Sequence, residues 1–149
     1  MNEYTYFPPV AFKFHVFADD IEGDKEGSFQ EVLGLNVKME TEDIQEGGEN
    51  RFIHKFPKAP KYPNLILKRG MLFNSPLIEW ASNSIGKFSF KPKTILVVLL
   101  DVNNQALMGW NVVNAVPVGL QLSDLKAEEN KLMIESLELA YDYFEKVKW

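Results

Sequence analysis

The sequence predicts a mainly β protein in which two packed antiparallel sheets form a barrel or sandwich, with one α-helix at about residues 75–85. Three observations carry that prediction. Short segments alternate apolar and polar side chains at period two, and clusters of Gly, Pro, Asn and Asp separate them at close spacing. Only one stretch shows a cap, a proline in the first turn and an apolar stripe together. One run, residues 95–100, is apolar on both faces, as a central strand covered on both sides requires. With 149 residues, the chain matches the size of one domain, 1–149.

Residues 1–9 end in Pro8-Pro9 and read as an N-terminal arm, because proline removes a ladder donor and restrains the residue before it. Residues 11–17 then alternate, with Phe12, Phe14 and Val16 on one face and Lys13 and His15 on the other. An acidic loop follows at 19–27. Residues 33–42 alternate again, Leu35, Val37 and Met39 pointing one way. The paired glycines of 46–50 mark a turn, since glycine accepts positive φ without steric cost. Residues 51–56 predict a short strand, Pro57, Pro60 and Pro63 a loop, and 64–69 another strand with Leu65 and Leu67 on one face.

Ser75 suits a helix cap and Pro76 the first turn, while Leu77, Ile78, Trp80, Ala81 and Ile85 form the stripe. The run at 95–100 and a second arm at 106–116 flank an Asn-rich turn, and Pro117 is expected to stop the second arm. Residues 131–147 fit two patterns. Leu132, Ser136, Leu139, Tyr143 and Val147 make a helical stripe, whereas Leu137, Leu139, Tyr141 and Tyr143 alternate as a strand.

Composition narrows the function. Sixteen basic against twenty-one acidic residues leave a net charge of −5, which argues against a broadly basic surface for DNA, RNA or anionic lipid. The absence of cysteine removes disulfides, thiol nucleophiles and thiolate metal sites. The longest apolar run is six residues, far below the ~18 of a membrane-spanning helix. No secretory signal is visible at the N-terminus, so cytoplasmic synthesis is expected.

No catalytic pattern emerges. His15 and His54 lack metal-ligand spacing, no phosphate-cradling glycine string is present, and no Gly-x-Ser-x-Gly elbow supports a hydrolase. Asp20, Glu22, Asp24, Glu26 and Glu31 fall in the register of a calcium loop, but Lys25 occupies the place where the sharp turn demands glycine. A solvated acidic turn is the expectation, with no cofactor and no metal.

Charge order is more informative. Glu40, Glu42, Asp43, Glu46 and Glu49 come first, the last two within the turn that holds Gly47, Gly48 and Asn50, and Arg51, Lys55, Lys58, Lys61, Lys68 and Arg69 follow without an intervening acid. Such blocks read as two solvated faces, as complementary patches between copies of one chain, or as a basic groove for a single nucleic-acid strand with Phe52, Phe56 and Tyr62 interleaved. The net charge makes the third reading the weakest.

Five segments, in order, resemble the tail tube protein family of contractile phages and phage-like injection systems. They are Phe29-Gln30-Glu31-Val32-Leu33-Gly34-Leu35, Glu46-Gly47-Gly48-Glu49-Asn50, the specific Lys61-Tyr62-Pro63-Asn64-Leu65-Ile66-Leu67-Lys68-Arg69-Gly70, Trp110-Asn111-Val112-Val113-Asn114-Ala115-Val116-Pro117, and Glu135-Ser136-Leu137-Glu138-Leu139-Ala140. Together with a helix carrying Trp80 they span residues 12 to about 145. Leu33 and Phe56 depart from the family's serine and leucine.

The resemblance implies a fold similar to the type VI secretion tube protein, with a strand at the C-terminus. It also implies a structural, non-enzymatic subunit whose homohexameric rings stack into a hollow conduit for DNA or protein cargo. Implied partners are further copies of itself and the sheath, baseplate and terminator proteins of a phage tail or extracellular injection particle, with no membrane in the resting state. The fourteen residues from Glu40 to Arg69 named above as charge blocks and turn are then the candidate subunit interface. A tube initiator joining tube to baseplate shares these motifs. A diffusible binding or effector domain would need a pocket that the sequence does not reveal.

Overall fold

The computed structural model describes residues 13–21, 28–45, 47–48, 51–123 and 133–147. The arm expected at 1–9, Phe12, most of the acidic loop (22–27), and Glu46, Glu49 and Asn50 lie outside the described residues.

The elements in order are β1 (Lys13–Ala18), β2 (Ser28–Phe29), β3 (Glu31–Leu33), β4 (Lys38–Ile44), β5 (His54–Lys61), β6 (Leu65–Gly70), α1 (Pro76–Gly86), β7 (Lys93–Leu100), β8 (Ala106–Leu122), β9 (Ile134–Ala140) and β10 (Tyr143–Lys146). Every pairing is antiparallel. The continuous order is β2-β1-β7-β8-β9-β6-β3, with β10 alongside β8, and β4-β5 stand apart as a two-stranded ribbon.

Two layers follow from β8. Its first part pairs β7 and its second part pairs β9, so one 17-residue strand belongs to both sheets. The other crossing is at Gln30, where the ladder breaks between β2, which pairs β1, and β3, which pairs β6. The layers are therefore a sandwich with corners and not a closed barrel.

Period-two alternation places the core between them. Val16, Ile95, Val97 and Val112 from one layer meet Leu65, Leu67, Leu137 and Leu139 from the other, with Phe29 at the corner. Fully burying side chains of this size stabilises by roughly 1.5–3 kcal/mol each. Leu77 and Ala81 of α1 join the same cluster. The helix starts where expected. The Ser75 hydroxyl accepts from the Ile78 amide at 3.2 Å, and Pro76 occupies the first turn.

Three expectations are corrected. Leu35, Val37 and Met39 do not form one buried face. Leu35 packs on the core but Val37 and Met39 are exposed, because the chain leaves the sandwich at Gly34. Pro57 and Pro60 do not make a loop; they sit in β5, a strand paired only with β4, where proline's missing donor is tolerated. Pro117 does not stop β8 but lies at its register shift, another place proline is accepted. Of the two patterns open at 131–147, the described residues take the strand that the resemblance implies, in Ile134–Ala140 and Tyr143–Lys146, since Leu137 and Leu139 are drawn to the core by alternation and neighbour packing overrides helix propensity.

Gly34 has a φ of +97°, and a Cβ there would lie 2.2 Å from the Asn64 carbonyl oxygen. Only glycine allows the chain to leave the sandwich at that point. Tyr141 donates to the Gly34 carbonyl at 3.3 Å, and its ring meets Tyr62 and Phe144. Burial, together with the neighbouring Tyr62, raises the Tyr141 pKa.

Candidate subunit interface

The β4–β5 ribbon is an arm. It continues the hairpin of β3 and β6 beyond the sandwich, reaching about 23 Å at the usual rise per strand residue. All of β4 is exposed, and so is β5 apart from the half-buried His54. Such a ribbon is marginal alone unless a face is covered. Yet Val37, Met39, Ile44, Phe52, Ile53 and Phe56 stand exposed on and beside it. Phe52, His54 and Phe56 form a ladder of rings on one face, with centroids 5.0 and 6.4 Å apart, and Ile44 and Glu42 lie opposite His54 and Phe56.

The arm brings most of the candidate residues together. Glu40, Glu42 and Asp43 lie on β4, Gly47 and Gly48 in the turn, and Arg51, Lys55, Lys58 and Lys61 in or just before β5. Gly48 takes a φ of +95° in open space, as a tight exposed turn requires. The two signs face one another inside the arm as well. Asp43 pairs in register with Lys55, and Lys61 Nζ meets Glu40 Oε1 at 2.8 Å. This exposed ion pair is worth about 0–1 kcal/mol.

Two candidate residues lie elsewhere. Lys68 is half-buried on the outer face of β6, in an open groove of about 310 Å³ shared with Ile66, Leu120, Gln121, Ser136 and Glu138. Arg69 is 2% exposed and leaves no surface for a neighbour. Its Nε meets Glu135 Oε1 at 2.6 Å, its Nη2 donates to Ser75 Oγ at 2.7 Å, and its guanidinium lies 4.3 Å from the Phe29 ring centre. This corrects the interface expectation for Arg69. It pins the helix cap to both sheets, and its phase with Leu65 and Leu67 was the signal for that role.

A feature absent from the sequence reading is the segment after α1. Phe88 is 85% exposed at a φ of +49°, with its ring 5.4 Å edge-on to Phe90. Among the described residues no group of His, Asp and Glu could hold a metal ion, and no helix is long and apolar enough to cross a membrane.

Comparison with known proteins bears on what such an arm serves. The family model described as T4-like virus tail tube protein gp19 matches residues 10–145. The chain belongs to the tail tube protein family. In the 6-fold symmetrised cryo-EM structure of the anti-feeding prophage baseplate, a chain is similar at 26% identity and a TM-score of 0.80, covering 96% of this chain and 97% of that one. A chain of the PVC extracellular contractile injection system, in its extended sheath-tube complex, is similar at 25% identity and 0.77, covering 95% and 93%. Hcp1 from Flavobacterium johnsoniae shares the fold at 12% identity and 0.54, covering 91% and 94%. No curated protein sequence matches. In this tail tube chain, then, the projecting arm and the strained aromatic after α1 are the surfaces to explain.

Proposed function

We propose that this chain is a structural subunit of the inner tube of a contractile injection particle or phage tail, without enzymatic activity. Six copies close a ring, and rings stack into a hollow conduit for cargo. The observation that carries the reading is the arm, which holds six large apolar side chains in solvent, uncovered by the other described residues. Contacts between unlike surfaces of identical chains close into rings or run on as filaments, and a tube uses both. Family membership and a relative in a 6-fold symmetrised particle support the same reading. Sheath, baseplate and terminator proteins are its partners in the particle, by likeness to chains from sheath-tube, baseplate and sheath/tube terminator structures.

A second reading, a tube initiator, is favoured by the likeness to a chain of a baseplate structure. Copy number separates them, since a tube subunit recurs in many stacked rings and an initiator in one or two. Native mass spectrometry and negative-stain microscopy of the purified chain test the proposal. Six-fold rings that stack at high concentration are expected, and a monomer at every concentration would overturn it.

A further inference from the structure

The arm meets the sandwich at a break in the ladders. Pairing of β3 with β6 ends at Leu33 and Ile66, and pairing of β4 with β5 begins at Lys38 and Lys61. Residues 34–37 and 62–64 therefore carry the arm without strand structure, and such element-terminal residues are where hinges form. The two segments touch where Gly34 lies against the Asn64 carbonyl. Leu35 anchors the first segment on the core. The second is held through Tyr62, whose ring stands edge-on to Tyr141 and Phe144 with centroids at 5.9 and 5.2 Å. Tyr141 also donates to the Gly34 carbonyl at 3.3 Å, so the turn between β9 and β10 grips both segments. That turn is fixed to β8. The Asp142 amide donates to the Val113 carbonyl at 3.0 Å, and its carboxylate accepts from Asn114 Nδ2 at 2.8 Å. Beyond it β10, four residues long, pairs with β8 alone among the described strands.

We infer that β10 and the turn before it form a strap. Seated on β8, they hold the arm at one angle to the sandwich; lifted, they release it. Tyr141 is the positioning residue, and Phe144 makes the coupling direct, because it lies in β10 itself and touches Tyr62. A short edge strand opens more readily than a central one such as β7, so the strap can lift while the two layers stay packed. The coupling runs both ways. Whatever fixes the root of the arm also seats β10, since the same contacts join them. The device belongs to a single copy of the chain and stands apart from the tube reading.

The chain has no cysteine, so spin labels can be placed at chosen pairs of positions. Lys58→Cys with Ser82→Cys spans the arm and α1, and Asn103→Cys with Ser82→Cys spans the sandwich alone; all three positions are exposed. Double electron–electron resonance on the full chain, dilute enough to be monomeric, should give a narrow distance distribution for both pairs. Tyr141→Ala should roughly double the width for the arm pair and leave the sandwich pair unchanged, as local opening without unfolding requires. A second variant acts at a distance from the root. Val147 donates its amide to the Gly109 carbonyl at 2.8 Å, so Glu145, two residues earlier, turns its amide to β8 as well. Glu145→Pro removes that donor and should broaden the arm pair in the same way. An arm pair that stays narrow in either variant would overturn the inference. So would a sandwich pair that broadens along with it, because the contacts would then serve the fold as a whole. Neither result bears on ring formation, which is read separately at assembling concentrations.

Discussion

Removing the carboxylate of Glu135 should damage the fold more than any surface change. Arg69 and Glu135 are 2% and 6% exposed, so both charges are out of water. In Glu135→Ala the guanidinium keeps the Ser75 hydroxyl and the Phe29 ring but loses its counter-charge at 2.6 Å. Breaking such a pair from one side costs up to about 3–5 kcal/mol, because the remaining charge stays buried without this partner. Against a total stability of roughly 5–15 kcal/mol, that is a large fraction. At about 2–4 °C per kcal/mol for a domain of this size, Tm should fall by roughly 6–20 °C. The double variant Arg69→Met/Glu135→Leu removes both charges and should recover most of the loss, since apolar replacement of a whole buried pair is often near neutral. Urea unfolding at a concentration where the chain is monomeric measures both, free of the stabilisation that assembly adds. A Glu135→Ala chain within about 1 kcal/mol of wild type would refute the reasoning.

Ser75→Ala removes the helix cap and one Arg69 partner together. It should cost about 1–2 kcal/mol, and less when added to Glu135→Ala, because the two changes share Arg69; a double-mutant cycle in urea checks this. Gly34→Ala forces a side chain to a φ of +97° and against the Asn64 carbonyl, and should destabilise by at least about 1–3 kcal/mol with the arm displaced, seen as shifted Tyr62 and Tyr141 signals in NMR. Tyr141 holds its proton more tightly when folded than when unfolded, so its contribution is complete below the ordinary tyrosine pKa and declines as pH rises through the raised one. Stability should therefore fall in the alkaline range in wild type and fall less in Tyr141→Phe, as thermal melts across that range would show. Calcium should leave Tm unchanged, which a melt with and without the ion checks.

The core was legible because alternation is a local signal. Leu65, Leu67, Leu137 and Leu139 announce their face by spacing, and Ser75-Pro76 announces the helix. The misread places share a cause, which is that they depend on what lies across from them. Pro57 and Pro117 are strand residues only because β5 lacks a second neighbour and β8 changes partner there. Arg69 looked like a surface cation because its type outweighed its phase, although Glu135 shares a face with Leu137 and Leu139 just as Arg69 does with Leu65 and Leu67. The arm's charges were legible as a group, but their pairing across β4 and β5 needed the register. Phe88 was invisible, since nothing in a sequence marks an aromatic held at positive φ.

The strand order also has a temporal side. Strand β6 pairs β9 from Leu65 to Leu139, and β1 pairs β7 from Phe14 to Leu99, so neither sheet can close on its neighbours in sequence. At a synthesis rate of about 5–20 residues per second, β6 waits roughly 4–15 s for its partner to be made. Contacts this distant in sequence fold slowly. Until β9 arrives, the helix cap has no Glu135 to anchor Arg69 against, and the arm has no Tyr141 at its root. The arm therefore acquires its fixed direction only after β9 and Tyr141 have been made. For the proposed tube subunit, this order means that the arm is not held in its final direction until β9 has been made.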